Sequence, residues 1–195
     1  MVALAGLLIY YMFSPASRTR VPVESPDTIT SSSTSEELSM NSSLSLKSSA
    51  FADQGTMDSR FTCDGANTSP PLSIAGVPAE AKSLVLIMDD PDVPTSVRAD
   101  GMWDHWVKFN IPTDTREIAE GTEPPGVSGA GTRSNLTYNG PCPPDREHRY
   151  FFKLYALDVE LSLKEGASKQ EVERAIQGHV LAETQLVGRY NRKGN

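Results

Sequence analysis

Cysteine is nearly absent from this chain of 195 residues, which has two, Cys63 and Cys142. They form no Cys-x-x-Cys pair, so a structural zinc site is not indicated and one disulfide is the most they can make. Histidine is almost as scarce, at three. Positive charge is in deficit: 18 Lys and Arg stand against 25 Asp and Glu, a formal net charge of -7. No basic run offsets it. Nucleic-acid partners demand clustered Lys and Arg to neutralise phosphates, so that class is set aside. Hydrophobic residues make up 38%, lean for one packed unit, and a polar tail accounts for the shortfall. A long apolar run is missing as well: Val2 to Phe13 is shorter than the roughly 20 residues that span a bilayer.

That apolar stretch suits the hydrophobic region of a signal peptide, and Ser14-Pro15-Ala16 is a passable small-x-small cleavage site. The basic residues that usually precede such a region are missing, which a start site further upstream would explain. Residues 1–16 are therefore read as a signal or anchor segment. On that reading the protein is exported or membrane-tethered, and it meets a membrane only through this segment. The alternative is a short buried apolar arm on a cytoplasmic protein. Residues 17–40 read as a linker: the run Thr28 to Ser35 has little to bury and cannot offset the entropy of ordering.

From about Asn41 to the end, 41–195, the texture is that of one folded domain. Leu84-Val85-Leu86-Ile87-Met88 suits a strand buried on both faces. Trp106 to Ile111 and Arg149 to Leu157 read as further strands, the latter with Phe152, Leu154 and Ala156 on one face and Phe151 and Tyr155 on the other. Gly, Pro, Ser and Thr crowd the stretch between Ile111 and Arg149, which predicts long loops. Ser168-Lys169-Gln170-Glu171 is a capping box opening a helix with Val172, Ala175 and Ile176 as its apolar face and Gly178 as its stop. Val180 to Val187 is read as a second short helix, closed by Gly188. The expected fold is mostly β: an antiparallel β-sandwich with long loops and C-terminal helices packed at its edge.

Three clusters carry candidate chemistry. Asp89-Asp90-Pro91-Asp92-Val93-Pro94 follows the buried strand, and its prolines rigidify the turn. These carboxylates face a pocket, or they form a plain acidic surface turn. Trp103-Asp104-His105-Trp106 sets both tryptophans around one histidine. Strand alternation puts His105 on one face with Val107 and Phe109, which also fits a core histidine. Gly140-Pro141-Cys142-Pro143-Pro144 precedes His148-Arg149-Tyr150. His148 and Tyr150 share a strand face and can both donate to an anion. The loop before them either presents backbone N–H groups as an anion nest or is a proline-rich turn. His179, after the helix stop, reads as structural.

In this order the clusters resemble the phosphatidylethanolamine-binding protein family, in its bacterial Raf-kinase-inhibitor-like branch. The resemblance runs from about Leu44 to Arg192. It includes Phe61-Thr62-Cys63-Asp64-Gly65, Ser69-Pro70-Pro71-Leu72, Asn110-Ile111-Pro112 and Gly178-His179-Val180-Leu181-Ala182 beside the three clusters. It implies two antiparallel sheets and a small anion pocket at one end. By motif match the pocket draws on Asp90, Asp92, Pro94, Trp103, His105, Gly140, Pro141, His148 and Tyr150. The segment Thr132 to Asn139 departs from the family pattern, having lost expected glycines before the pocket loop.

The leading expectation is a binding module for a small anion, phosphate or a phosphoryl-ethanolamine headgroup, with inhibition of a kinase or protease partner as a further role. No cofactor, metal or catalytic residue is assigned. A hydrolase using the Asp and His residues, or a metal-binding protein, is the alternative. His148 is expected to be the main anion contact, with Asp90 and Asp92 keeping His105 or His148 charged, so that binding weakens as pH rises. Cys63 and Cys142 are expected to lie close together and to pair if the chain is exported.

Overall fold

The apolar run Leu84–Met88 forms the middle of β4 (Ser83–Asp90), and all eight residues of that strand are buried. A strand with no exposed side must be covered on both faces. The computed structural model describes residues 43–192, so the apolar segment 1–16 and the linker 17–40 lie outside the described residues. Within them β4 is flanked by β5 (Trp103–Ile111) and β8 (His148–Leu157), both antiparallel to it. Beyond β8 comes β9 (Val180–Tyr190), and the two-residue strands β2 (Gly55–Thr56) and β7 (Val127–Ser128) complete a six-stranded sheet of order β2-β9-β8-β4-β5-β7. β2 runs parallel to β9, unlike the other pairs. A second sheet, of order β1-β3-β6, holds β1 (Ser45–Lys47), β3 (Leu72–Ala75) and β6 (Glu117–Ile118).

The two faces of β4 feed two cores. Leu84, Leu86 and Met88 join Leu46, Leu72, Ile74 and Ile118 of the smaller sheet, with Phe152 and Leu154 of β8 beside them. Val85 and Ile87 face the other way, onto Val107, Phe109, the helix residue Val172 and Ile176 at that helix's C-terminal cap. Each such side chain contributes roughly 1.5–3 kcal/mol when fully buried. That helix, α1 (Lys169–Ala175), begins at the capping box read from the sequence: Ser168 caps the Glu171 N–H, and the Glu171 carboxylate accepts from the Ser168 N–H at 2.8 Å. Gly178 follows in the left-handed region, at φ 80°, a conformation that costs glycine no steric penalty.

The fold is mostly β, as expected, but the second helix is not there. Val180–Tyr190 is a strand instead, paired with β8 from His148↔Tyr190 to Leu157↔Val180. Leu, Ala, Glu and Gln favour a helix locally, and the free edge of β8 overrides that weak preference. The first half of β9 is largely exposed, so it lacks a clean apolar alternation. Gly188, read as a helix stop, lies inside the strand, where a Cβ would come within 2.5 Å of the Met57 sulfur. Between Ile111 and His148 the chain is loop apart from β6 and β7, as the Gly and Pro content predicts.

Two loops are sewn together at one end of the large sheet. Cys63 and Cys142 form a disulfide, with Cα atoms 5.4 Å apart across a sequence separation of 79. Around it the Tyr138 hydroxyl donates to the Phe61 carbonyl at 2.8 Å, and the Cys63 N–H donates to the Pro141 carbonyl at 3.0 Å. A crosslink over so long a loop acts mainly by restricting the unfolded chain, with a typical stabilisation of about 2–4 kcal/mol. Reduction, or the double substitution Cys63→Ser and Cys142→Ser, should lower the unfolding free energy by that amount in urea titration. A loss below about 0.5 kcal/mol would contradict this.

Candidate functional site

The sewn loops stand over the ends of β4, β5 and β8, and the local register of β5 decides what faces them. Met88 pairs with Trp106, yet Asp89 pairs with Asp104 and Asp90 with Trp103. His105 is therefore an extra residue, a β-bulge. Alternation breaks there, so His105 does not share a face with Val107 and Phe109, which lie in the helix-side core. Its ring instead stands edge-on to Tyr150, with centroids 5.3 Å apart, on the side that also carries Asp90 and Trp103. Asp89 and Asp104 take the other side, where both bind the buried Lys169 ammonium, at 2.6 and 3.2 Å.

Asp90, Trp103, His105 and Gly140 line a cavity of about 340 Å³, together with Val93, Val97, Arg133, Asn139, Pro144 and the disulfide. Gly140 is required by space: a Cβ there would run into the Phe61 carbonyl and the Asn67 side chain. The loop is not an N–H nest. The Gly140 N–H is spent on Asn67 Oδ1 at 2.8 Å, and Pro141, Pro143 and Pro144 have no N–H to offer.

The remaining expected residues support the cavity from outside its wall. His148 is fully buried, with Nδ1 2.7 Å from Asp90 and Nε2 2.8 Å from Asp145. Both ring nitrogens are thus committed to carboxylates, and the ring holds Asp90 in place. Asp92 is turned to Arg149, which it meets through both carboxylate oxygens at 2.7 and 2.8 Å. The Arg149 guanidinium holds the Asp92 carboxyl below its ordinary range. The Pro94 carbonyl accepts from the Val97 and Arg98 N–H groups and so shapes the loop that carries Val97. Pro141 is buried under the rim, and Tyr150 lies fully buried beneath His105, its phenol pushed up by burial.

Burial sets the charge of the inner wall. Asp90, 3% exposed, is held above the usual carboxylate range, because desolvation outweighs the hydrogen bonds from His148 and the Asp92 N–H. His105, 4% exposed, is pushed down to about 4 by desolvation. It is therefore neutral near pH 7, not kept charged by the aspartates. Its Nδ1–H donates to the Asn139 carbonyl, and Nε2, a bare acceptor, has no hydrogen-bond partner among the described residues.

Sequence reasoning missed Arg133 and Asn139. Arg133 is exposed, its guanidinium 5.2 Å from the Trp103 ring centroid. It makes no hydrogen bond or ion pair with the described residues, whereas Arg98, Arg146, Arg149 and Arg192 are each paired to a carboxylate. The available signal was a lone cation in the segment that departs from the family's glycine pattern.

Comparison with known proteins agrees with this architecture. Residues 47–191 match the sequence profile described as Phosphatidylethanolamine-binding protein. A UPF0098 protein of Methanothermobacter thermautotrophicus is 54% identical over 155 residues, covering 76% of this chain and 99% of its own length. The crystal structure of a phosphatidylethanolamine-binding protein homologue from Chlamydia trachomatis superposes with a TM-score of 0.76 at 45% identity, covering 78% of this chain and 99% of that one. For E. coli YbcL, described as a member of the mammalian PEBP family, the TM-score is 0.69 at 26% identity, covering 77% and 99%.

His105 gives the site a measurable signature. Its folded pKa lies below the unfolded value, so as pH falls the unfolded chain takes up this proton first. Stability should therefore decline from about pH 6.5 to about pH 4, by roughly 3 kcal/mol from this group. Imidazole NMR should show the Nδ1–H tautomer at pH 7 and a titration near pH 4. A midpoint at pH 6 or above would contradict it.

Proposed function

The chain belongs to the phosphatidylethanolamine-binding protein family, and from that premise we propose that its domain binds a small phosphate-bearing anion, such as phosphate or phosphoryl-ethanolamine, without turning it over. The observation that carries this reading is Arg133. An uncommitted guanidinium stands at a cavity of about 340 Å³, in a protein whose other arginines are mostly paired. A guanidinium offers a planar fork of donors that matches two oxygens of an oxyanion. The Trp103 ring, its centroid 5.2 Å from the guanidinium carbon, keeps that fork beside the mouth. Val97, 57% exposed, and Trp103 give the mouth an apolar lip for whatever the phosphate is attached to.

Binding without turnover is supported by the setting of the two histidines. Among the described residues no hydroxyl or thiol is hydrogen-bonded to either one: His105 meets Asn139, and His148 meets Asp90 and Asp145. A base with no nucleophile on it has nothing to activate.

A charge-assisted hydrogen bond contributes roughly 1.5–3 kcal/mol, about ten- to hundredfold in affinity. Titration calorimetry with phosphoryl-ethanolamine should therefore show binding to the wild type and a loss of at least about tenfold in Arg133→Ala. The melting temperature should hold, because the exposed Arg133 side chain bonds nothing in the described fold. No binding, or equal affinity in the variant, would overturn the reading.

A further inference from the structure

The large sheet has a long open edge, far along β9 from the cavity strands β4 and β5. β9 pairs with β8 from end to end, but on its other side β2 meets only Gly188 and Arg189. Residues 180–186 therefore border no second strand among the described residues. Val187 shows which way the backbone groups point. Its N–H donates to Asp53 Oδ1 at 2.9 Å and its carbonyl accepts from the Gln54 N–H at 2.8 Å, both on the side away from β8. Inward and outward groups alternate along a strand of an antiparallel pair. Glu183 and Gln185 thus aim their N–H and carbonyl outward as well, and no described residue bonds them. The outer edge of β5 is treated differently: the N–H groups of Gly129, Thr132 and Asn139 cap it at the Val107, Asp104 and His105 carbonyls.

Open edges are commonly blunted by Lys, by Pro or by a covering loop. Residues 180–186 contain no Lys, Arg or Pro, and Glu183 is their one charge. Val180 and Leu181, at the start of the strand, are exposed. Beside the edge, on the helix side of the sheet, Lys153 and Tyr155 with Glu183, Thr184 and Gln185 line an open hollow of about 330 Å³. Gln185 lies next to Lys153, and Glu183 next to Tyr155.

We propose that this edge pairs with the same edge of a second copy of the chain, antiparallel across a two-fold axis at Thr184. Glu183 and the partner's Gln185 then exchange two N–H to carbonyl bonds, and Gln185 does the same with the partner's Glu183. Charge selects this register. The row across the joined sheet reads Lys153, Gln185, the partner's Glu183 and the partner's Tyr155, so that no acid faces an acid and each Glu183 enters a row headed by a lysine. An axis at Glu183 sets two carboxylates opposite each other, which is destabilising. An axis at Gln185 sets Glu183 against the partner's Val187, whose outward N–H and carbonyl are already taken. Thr184 meets the partner's Thr184, a favourable cross-strand pair. The contact is small, so the dimer is weak and concentration-dependent.

Sedimentation velocity of the full chain over a concentration series tests this. The wild type should pass from monomer to dimer. Gln185→Pro removes one outward N–H from each copy and leaves the β8 ladder intact, because proline is tolerated where the N–H faces out of a sheet. It should weaken the dimer by at least about tenfold. Gln185→Glu should weaken it and Gln185→Lys should tighten it, each by about threefold or more, since either residue faces the partner's Glu183. Amide exchange at Glu183 and Gln185 should slow as the wild type is concentrated. A chain that stays monomeric at its solubility limit, or a dimer that none of the three substitutions moves, would overturn the proposal. So would amides at Glu183 and Gln185 that are protected even in dilute protein, which would mean that another segment of the same chain covers the edge.

Discussion

One extra residue in β5 organises this site. Without the bulge at His105, strict alternation would send that ring into the helix-side core with Val107 and Phe109, and Asp104 would face the cavity. With it, Trp103, His105 and Asp90 share a side, and the acids Asp89 and Asp104 are turned together onto Lys169. Removing that buried lysine would leave two acids under-compensated, and breaking a buried pair costs about 3–5 kcal/mol. The bulge thus divides four neighbouring polar residues between a structural ion cluster on one face and a ligand cavity on the other.

The cavity side is arranged as a gradient. Beneath its wall Tyr150 lies fully buried with its ring against His105. Next come Asp90 and His105, both pushed by burial toward their uncharged forms. His148 and Asp145 brace Asp90 from behind. Full positive charge appears with Arg133 at the rim. Carboxylates near a phosphate pocket look contradictory until their partners are counted: Asp92 is neutralised by Arg149, and Asp90 is engaged by His148. The disulfide and its flanking hydrogen bonds hold the loops that close the cavity, so the rim depends on the crosslink as much as on the sheet.

Much of this was legible in the sequence. The continuous apolar run named β4 and its two covered faces. The capping box named the start of α1, and the ordered motifs pointed to the family and to Asp90, Trp103, His105 and Gly140 as wall residues. The rest was hidden for physical reasons. A bulge leaves no mark in a single sequence, because it is a mismatch of register between two strands. The fate of Val180–Val187 was set by the open edge of β8, not by its own residues. His148 sits in the expected strand, but its partners Asp90 and Asp145 are brought in by two other segments, and only their convergence shows that both nitrogens are committed. Arg133 lies in a loop with no periodicity to read.

The central claim is that an oxyanion sits at Arg133 in the cavity while His148 remains a brace. A crystal structure of the protein grown with inorganic phosphate tests it most directly. The account predicts phosphate within hydrogen-bond reach of the Arg133 guanidinium, with His148 still between Asp90 and Asp145. Phosphate seated on His148 with Asp145 displaced, or a cavity that holds no anion at saturating concentration, would contradict it.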